Sequence, residues 1–151
     1  MSPMLPLGTC VRTRRNDREA RALADRHYSR KTPGHREFVG PGRAIILRDP
    51  AGTWLFVWRQ CQYRLDGQTG WECAIFRNEG TRLSSEIIME CEKWVSGRLF
   101  TYVDASKVRS VNPGFCFKRA GWSVAGKSKD RGLVLLVKEH AALPFLEAPH
   151  A

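Results

Sequence analysis

Hydrophobic and polar residues alternate along the chain in a pattern that predicts a strand and then a short helix. Residues 8–12 favour the strand. Asn16 is a suitable N-cap for a helix that runs to about His27, and Glu19 is placed to close a capping box. The apolar residues of this segment recur at helical spacing, at Ala20, Leu23 and Ala24. The helix should therefore bury one face.

The next segment is punctuated by glycine and proline and then becomes strongly apolar. Residues 29–42 carry basic side chains among these breakers and predict an exposed basic loop. Apolar segments separated by turn signals then predict a three-strand antiparallel meander, with strands at 43–48, 53–63 and 71–77 and a tight turn at 49–52.

From Leu83 onward the spacing of apolar residues becomes helical. One face collects Leu83, Ile87, Ile88, Cys91, Trp94 and Val95. Glu86, Glu90, Glu92 and Lys93 fall elsewhere on this helix, and Gly97 should end it. A strand at 99–103, a short helix at 113–120 and strands at 122–125 and 133–138 complete the pattern. The order predicts an α+β protein with one domain over residues 1–140 and a tail at 141–151.

Composition excludes a disordered or membrane protein. Hydrophobic residues make up 42% and charged residues 26% of the 151 positions. No apolar run approaches the ~20 residues that span a bilayer, and the apolar stretch at the N-terminus is too short for a signal peptide. We therefore expect a cytoplasmic protein without a membrane partner, either a monomer or a homodimer.

Charge and cysteine content refine this picture. The net charge of +10 favours a polyanionic partner, although solubility alone also accounts for such a surplus. Five cysteines without a C-x-x-C pair indicate reduced and mostly buried thiols. No metal site is predicted.

The predicted order of elements resembles the GNAT (acetyltransferase) fold. The stretch Val111-Asn112-Pro113-Gly114-Phe115-Cys116-Phe117-Lys118-Arg119-Ala120-Gly121-Trp122 is similar to the late motif of that family. More narrowly, the chain resembles the Mom-type DNA modification proteins of phages at His27-Tyr28-Ser29, Phe76-Arg77-Asn78-Glu79, Tyr102-Val103-Asp104 and Asn112-Pro113-Gly114. The resemblance implies a mixed, mostly antiparallel sheet with helices on both faces and a splayed parallel pair of strands in the middle, whose cleft receives an acyl donor.

The segment between the third meander strand and the central helix is the predicted donor site. Backbone amides at a helix start, together with guanidinium groups, can cradle a pyrophosphate. The residues concerned are Arg77, Asn78, Glu79, Gly80, Thr81 and Arg82, with Asn112 contributed by the late motif. Gly80 is the one glycine of this loop, where the GNAT pattern has two, so ordinary coenzyme A binding is in question. A plain helix cap assisted by Ser84 or Ser85 is the alternative.

The predicted catalytic residues are Asp104, His27, Tyr28 and Ser84. Asp104 follows an apolar strand at its carboxyl end, where it can orient an amine or take its proton, or simply begin a turn. His27 ends the first helix, a position that favours a protonated imidazole. The resemblance leaves a metal ion near His27 and Asp104 open, without predicting one. Tyr102 shares a strand face with Asp104 and lines the cleft or packs.

Phe117 and the tryptophans are expected to pack in the core. Many GNAT enzymes have a tyrosine at the place of Phe117, which protonates the departing thiolate of coenzyme A. Phenylalanine cannot donate a proton, so another group does so or the donor is not a simple thioester. Trp54 and Trp58 share one strand face and are read as core rather than as a base-stacking platform.

Basic residues in loops are the predicted contacts to DNA phosphates. They are Arg30, Lys31, Arg36, Lys107, Arg109, Lys118, Arg119, Lys127 and Lys129. The leading hypothesis is transfer of an acyl-type or carbamoylmethyl-type group to the exocyclic amine of a DNA base. The expected acceptor is N6 of adenine. The donor is unidentified, and acetyl-coenzyme A is one candidate. The alternatives are acetyl transfer to a protein or small amine and a non-catalytic DNA-binding module.

Overall fold

The structure, a computed structural model, describes residues 10–27, 38–60, 64–107, 112, 114–129 and 131–141. Its strands are β1 (Val11–Thr13), β2 (Arg43–Arg48), β3 (Trp54–Gln60), β4 (Trp71–Asn78), β5 (Gly97–Val103), β6 (Ser123–Lys127) and β7 (Val134–His140). Its helices are α1 (Arg18–Asp25), α2 (Ser84–Cys91), which continues as a 3-10 turn over Glu92–Trp94, and α3 (Phe115–Arg119). The predicted tail lies outside the described residues except for Ala141.

The strands form one mixed sheet in the order β1-β2-β3-β4-β5-β7-β6. Every neighbouring pair is antiparallel except β4 and β5, which run parallel. The predicted α+β class, the meander and the position of the parallel pair in the middle of the sheet are confirmed.

Helices cover both faces of the sheet, and β3 contributes buried side chains to both. Trp54, Phe56 and Trp58 pack towards α2 and α3 on what we call the α2 face. Leu55 and Val57 pack towards α1 on the opposite α1 face. All five side chains are buried, as expected for a central strand whose two faces exclude water. The prediction of helices on both faces, and of Trp54 and Trp58 as core, is confirmed.

The ends of the first helix differ from the prediction. The N-cap is Asp17 rather than Asn16, because Asp17 has the extended backbone and its carboxylate accepts from the amides of Glu19 and Ala20 at 2.8 and 3.2 Å. Glu19 therefore does not close a capping box with Asn16. Arg26 is the C-cap, one residue before His27.

The second helix buries a different set of side chains from the one predicted. Leu83 is the N-cap, makes no side-chain capping bond and is 54% exposed, so it does not belong to the buried face and neither Ser84 nor Ser85 caps the helix. Glu92, expected on the polar side, is buried. Its carboxylate accepts from Trp122 Nε1 at 3.0 Å and from Lys138 Nζ at 2.7 Å, which compensates the cost of burying the charge.

β4 and β5 part soon after they begin. Their main-chain pairing consists of Trp71 with Leu99 and Glu72 with Phe100. Both strands continue beyond these pairs, and the side chain of Thr101 donates to the carbonyl of Cys73 at 2.8 Å where they separate. The predicted splayed parallel pair is therefore present.

A β-bulge lies in β4 at the place where it leaves β5. Val57 of β3 pairs with Ile75 and Trp58 pairs with Cys73, so Ala74 is an extra residue in β4. Consequently Cys73 packs on the α2 face, whereas Ala74 and Ile75 both pack on the α1 face. A bulge bends its strand and increases the local twist, which accounts for the divergence.

Candidate functional site

The carboxyl end of β4 is tied to the end of α1 by three charged side chains, which we call the Glu79 clamp. Arg77 Nε lies 2.5 Å from the Glu79 carboxylate, and Arg26 contacts the same carboxylate at 2.6 and 2.9 Å. Arg77 also donates to the backbone carbonyl of Arg26 at 2.8 Å. Hydrogen bonds from Arg26 first, and then from Arg77, lower the pKa of Glu79 to about 2.

Asn78 organises the turn that leads into α2. Its side-chain amide donates to the carbonyl of Arg82 at 2.7 Å and to the hydroxyl of Ser84 at 3.0 Å. Its side-chain oxygen accepts from the amide of Gly80 at 3.0 Å. Asn78 therefore fixes the backbone of the predicted donor loop, and Ser84 is paired with an amide, which cannot act as a base.

Several groups assigned to the donor are engaged with other parts of the protein. The amide of Glu79 donates to the carbonyl of Thr53 at 2.8 Å, and Arg82 is paired with Glu90 at 2.6 Å. A Cβ on Gly80 would lie 2.7 Å from Thr53 Oγ1, so glycine at this position permits close packing of two turns. An anionic donor at this loop would have to displace the Glu79 carboxylate from its guanidinium partners.

His27 follows the C-cap of α1 and lies near Arg77. Burial first, and then the positive charge of Arg77, lower the pKa of His27 to about 4. The expectation of a protonated imidazole at this helix end is therefore wrong, because desolvation and a neighbouring cation outweigh the helix dipole. His27 is neutral at neutral pH. Tyr28 lies outside the described residues.

Asp104 follows β5 and forms a turn with Ser106. Its carboxylate accepts from the amide and hydroxyl of Ser106 at 3.0 and 2.6 Å, and Arg131 lies 3.8 Å away. The hydrogen bond from the Ser106 hydroxyl is the main cause of a lowered pKa for Asp104. Asp104 is thus ionised and a weak base.

The position of Tyr102 shows which side chains of β5 lie on the α1 face and which lie on the α2 face. Leu99 and Val103 belong to the α2 face, so strand alternation places Phe100 and Tyr102 on the α1 face. The Tyr102 hydroxyl donates to Asp66 at 3.1 Å, on the segment before β4. Arg77, through its contact with Arg26, also lies on the α1 face. The ends of β4 and β5 thus present polar side chains to the same face of the sheet.

α3 closes the opposite side of the parting strands. The Phe117 ring packs 6.0 Å from Phe76 of β4 and 4.9 Å from Trp122, which confirms its core role. Asn112 does not cap α3: the N-cap is Gly114, and Lys118 donates to the side-chain oxygen of Asn112 at 2.5 Å. Lys118 therefore orients Asn112 from the second half of the helix.

The predicted phosphate-binding residues divide into three groups. Lys107, Arg119, Lys127 and Lys129 are exposed, while Lys118 is half-buried against Asn112. The four others, Arg30, Lys31, Arg36 and Arg109, lie outside the described residues.

Three features of this region could not be predicted from the sequence. Arg26 is separated from Glu79 by 53 positions, and no local spacing links them. The bulge at Ala74 is invisible in a continuously apolar strand, where alternation cannot be followed. The exposure of Phe115 depends on how α3 lies on the sheet.

Within the described ranges, no group of three or more histidine, cysteine, aspartate or glutamate residues is arranged to hold a metal ion. None of the helices described is both long and apolar enough to cross a membrane.

Comparison with known proteins gave no relative. No protein-family model matches the chain, and neither the curated proteins nor the solved structures compared with it show a match.

Proposed function

We propose that the protein has a GNAT-like fold and transfers an acyl-type or carbamoylmethyl-type group to the exocyclic amine of a DNA base, with adenine N6 as the acceptor. The observation that carries the proposal is the parting of β4 from β5. Two adjacent parallel strands stop pairing after two residue pairs, and the proposed donor and acceptor would lie between their carboxyl ends. Ligand sites in α/β sheets favour this end of the strands.

Asp104 and His27 have different roles in this proposal. Because the pKa of Asp104 is lowered, its carboxylate is better suited to orient the amine by accepting a hydrogen bond than to remove a proton. His27 is neutral but, with a pKa of about 4, is also a weak base, so it would relay to water the proton that the amine loses when its nitrogen bonds to the donor carbon. Tyr28 and Ser84 remain predictions for the same step.

The donor is proposed to bind where the Glu79 clamp now neutralises two guanidinium groups. Arg26 and Arg77 would bind an anionic group once Glu79 is displaced, and Arg82 lies on the same loop. Phe117 supplies no proton to the leaving group, which favours a donor whose leaving group needs none or receives it elsewhere. Acetyl-coenzyme A stays one candidate among acyl donors, and its departing thiolate would need a proton from another group.

The proposed acceptor is DNA because the net charge of +10 attracts a phosphate backbone. A base inside a duplex cannot reach a site between two strands of a sheet. The enzyme would have to act on an extruded or single-stranded base.

The proposal is tested by mass spectrometry of nucleosides from the DNA of cells that express the protein. Wild type should produce a new nucleoside, and Asp104→Asn should reduce it at least tenfold. Asparagine can still accept from Ser106 and keep the turn, so this variant removes the charge with little change in folding. Asp104→Ala, which also loses the turn contact, is the comparison. Absence of a new nucleoside with wild type, when candidate donors are supplied, would overturn the proposal.

A non-catalytic DNA-binding module is the second candidate. The observation in its favour is that Arg77 and Arg82 already have carboxylate partners. This candidate predicts salt-sensitive DNA binding, no new nucleoside and no effect of Asp104→Asn on affinity.

A further inference from the structure

Phe115 is a large aromatic side chain that does not enter the core. It is 51% exposed, whereas its neighbour Phe117 on the same helix is 6% exposed. The other exposed large hydrophobic residues within the described ranges are aliphatic: Leu65, Leu83, Met89 and Val124. About half of the surface of Phe115 is therefore not used by the fold and is available to another molecule.

The ring of Phe115 is accompanied by a guanidinium group. Arg119, one helical turn later, holds its Cζ 5.9 Å from the ring centroid. A flat aromatic ring beside a guanidinium offers a stacking face together with a positive charge, the combination on which a nucleotide base and its phosphate can both bind.

This pair lies beside the end of β5. Gly114 has a φ of +76°, and a Cβ on it would lie 2.5 Å from Leu136 and 3.6 Å from Val103, the last residue of β5. The start of α3 is therefore seated directly on the strand that leads to Asp104. Because α3 packs on the α2 face, a base stacked on Phe115 would approach the end of β5 from that face, opposite Tyr102 and Arg77.

The segment of sequence that carries the pair is basic. From Gly114 to Lys129 the sequence contains Lys118, Arg119, Lys127 and Lys129 and no acidic residue. Lys127 and Lys129 are exposed on and beside the edge strand β6. A basic segment that carries an exposed aromatic ring favours a polyanion with planar groups over an apolar protein partner.

We infer that Phe115 and Arg119 form a stacking site for a base of single-stranded DNA, at the end of β5 on the α2 face. The inference rests on the proposed function for the identity of the strand. The site would hold the strand by stacking, with Lys127 and Lys129 contacting phosphates, and would carry little sequence preference.

The test measures binding of an oligodeoxyadenylate of about 12 nucleotides by fluorescence anisotropy. Phe115→Ala should weaken binding about tenfold, and Phe115→Trp should restore it. Leu65→Ala, which removes another exposed side chain, should bind like wild type. Thermal unfolding of each variant confirms that the fold is retained.

A strand of the same length without bases separates stacking from charge. Phe115→Ala should bind this abasic strand as well as wild type does, whereas Arg119→Ala should weaken binding to both strands. Equal affinity of wild type and Phe115→Ala for the oligodeoxyadenylate, or an equal loss on the abasic strand, would overturn the inference. If the binding results hold and no nucleoside is modified, the stacking site stands and the proposed reaction fails.

Discussion

His27 illustrates how a single residue can be neutral where its sequence position suggests a positive charge. A position after a helix C-terminus favours the imidazolium, but burial and Arg77 disfavour it more strongly. The sequence cannot reveal this, because Arg77 is 50 positions away and burial depends on how α1 packs on the sheet. The identity of Asp17 as N-cap was missed for a smaller reason, since Asn16 and Asp17 are both good caps and only the backbone conformation distinguishes them.

Acidification should destabilise the protein through His27. The pKa of this imidazole is about 4 in the folded chain, compared with 6.5 for an unperturbed histidine. The unfolded chain therefore binds a proton that the folded chain rejects as the pH falls below 6.5, and stability decreases over this window. From about pH 7 to about pH 5 the free energy of unfolding should fall by about 2 kcal/mol through this group.

The measurement is urea denaturation of wild type and His27→Gln at both pH values. The variant lacks the titrating group, so its stability should change less by that amount. The same pH dependence in both proteins would show that His27 is accessible to protons in the folded state.

Elements were predicted more reliably than their ends. Helical spacing identified α1 and α2, whereas apolar segments separated by turn residues identified the strands, because a strand buried on both faces shows no alternation. The boundaries moved by a few residues, as with β7, which ends at His140 rather than at residue 138. The central helix was predicted longer than α2, because the 3-10 turn over Glu92–Trp94 continues its apolar face with a tighter twist.

The seating of α3 depends on Gly114. Gly114 and Gly67 have nearly the same backbone angle, φ +76° and +73°, but only the Cβ of an alanine at Gly114 would meet Leu136. Gly67→Ala should therefore cost about 1 kcal/mol through backbone strain, and Gly114→Ala about 2–3 kcal/mol through strain and overpacking.

Thermal and urea unfolding of the two variants measure the difference. A combined Gly114→Ala and Leu136→Val change, which shortens the contacted side chain, should cost less than the sum of its parts. Equal destabilisation by the two glycine variants would mean that α3 does not press on β7.

At the scale of the whole molecule, some basic residues form ion pairs with carboxylates and others lie in a segment of sequence without acidic residues. Arg26, Arg64, Arg77 and Arg82 are all paired with carboxylates in the fold. The net charge predicted a polyanionic partner, but it did not show which of the basic residues remain exposed. The basic residues of α3 and β6 are the candidates for binding a polyanion, since residues 114–129 contain no acidic residue.

Neutralising Lys127 and Lys129 together should weaken DNA binding and reduce its dependence on salt. If each contacts one phosphate, the slope of log K against log salt should become less steep by about 0.7–0.9 per residue. The charge-matched control is Arg14→Ala with Arg18→Ala, two exposed residues near β1 at the opposite edge of the sheet. Titrations at several salt concentrations compare the slopes. An equal change in both double variants would indicate diffuse charge rather than a defined surface.

The brief pairing between β4 and β5 leaves the sheet as two hydrogen-bonded ladders, one of four strands and one of three. Cohesion between the ladders comes mainly from side chains, above all those of α2 and α3 on the shared face. A chain cleaved between Val95 and Gly97 would divide along this line, giving two fragments with complementary apolar surfaces and few broken backbone bonds. We therefore expect the two fragments, produced together, to associate through these apolar surfaces.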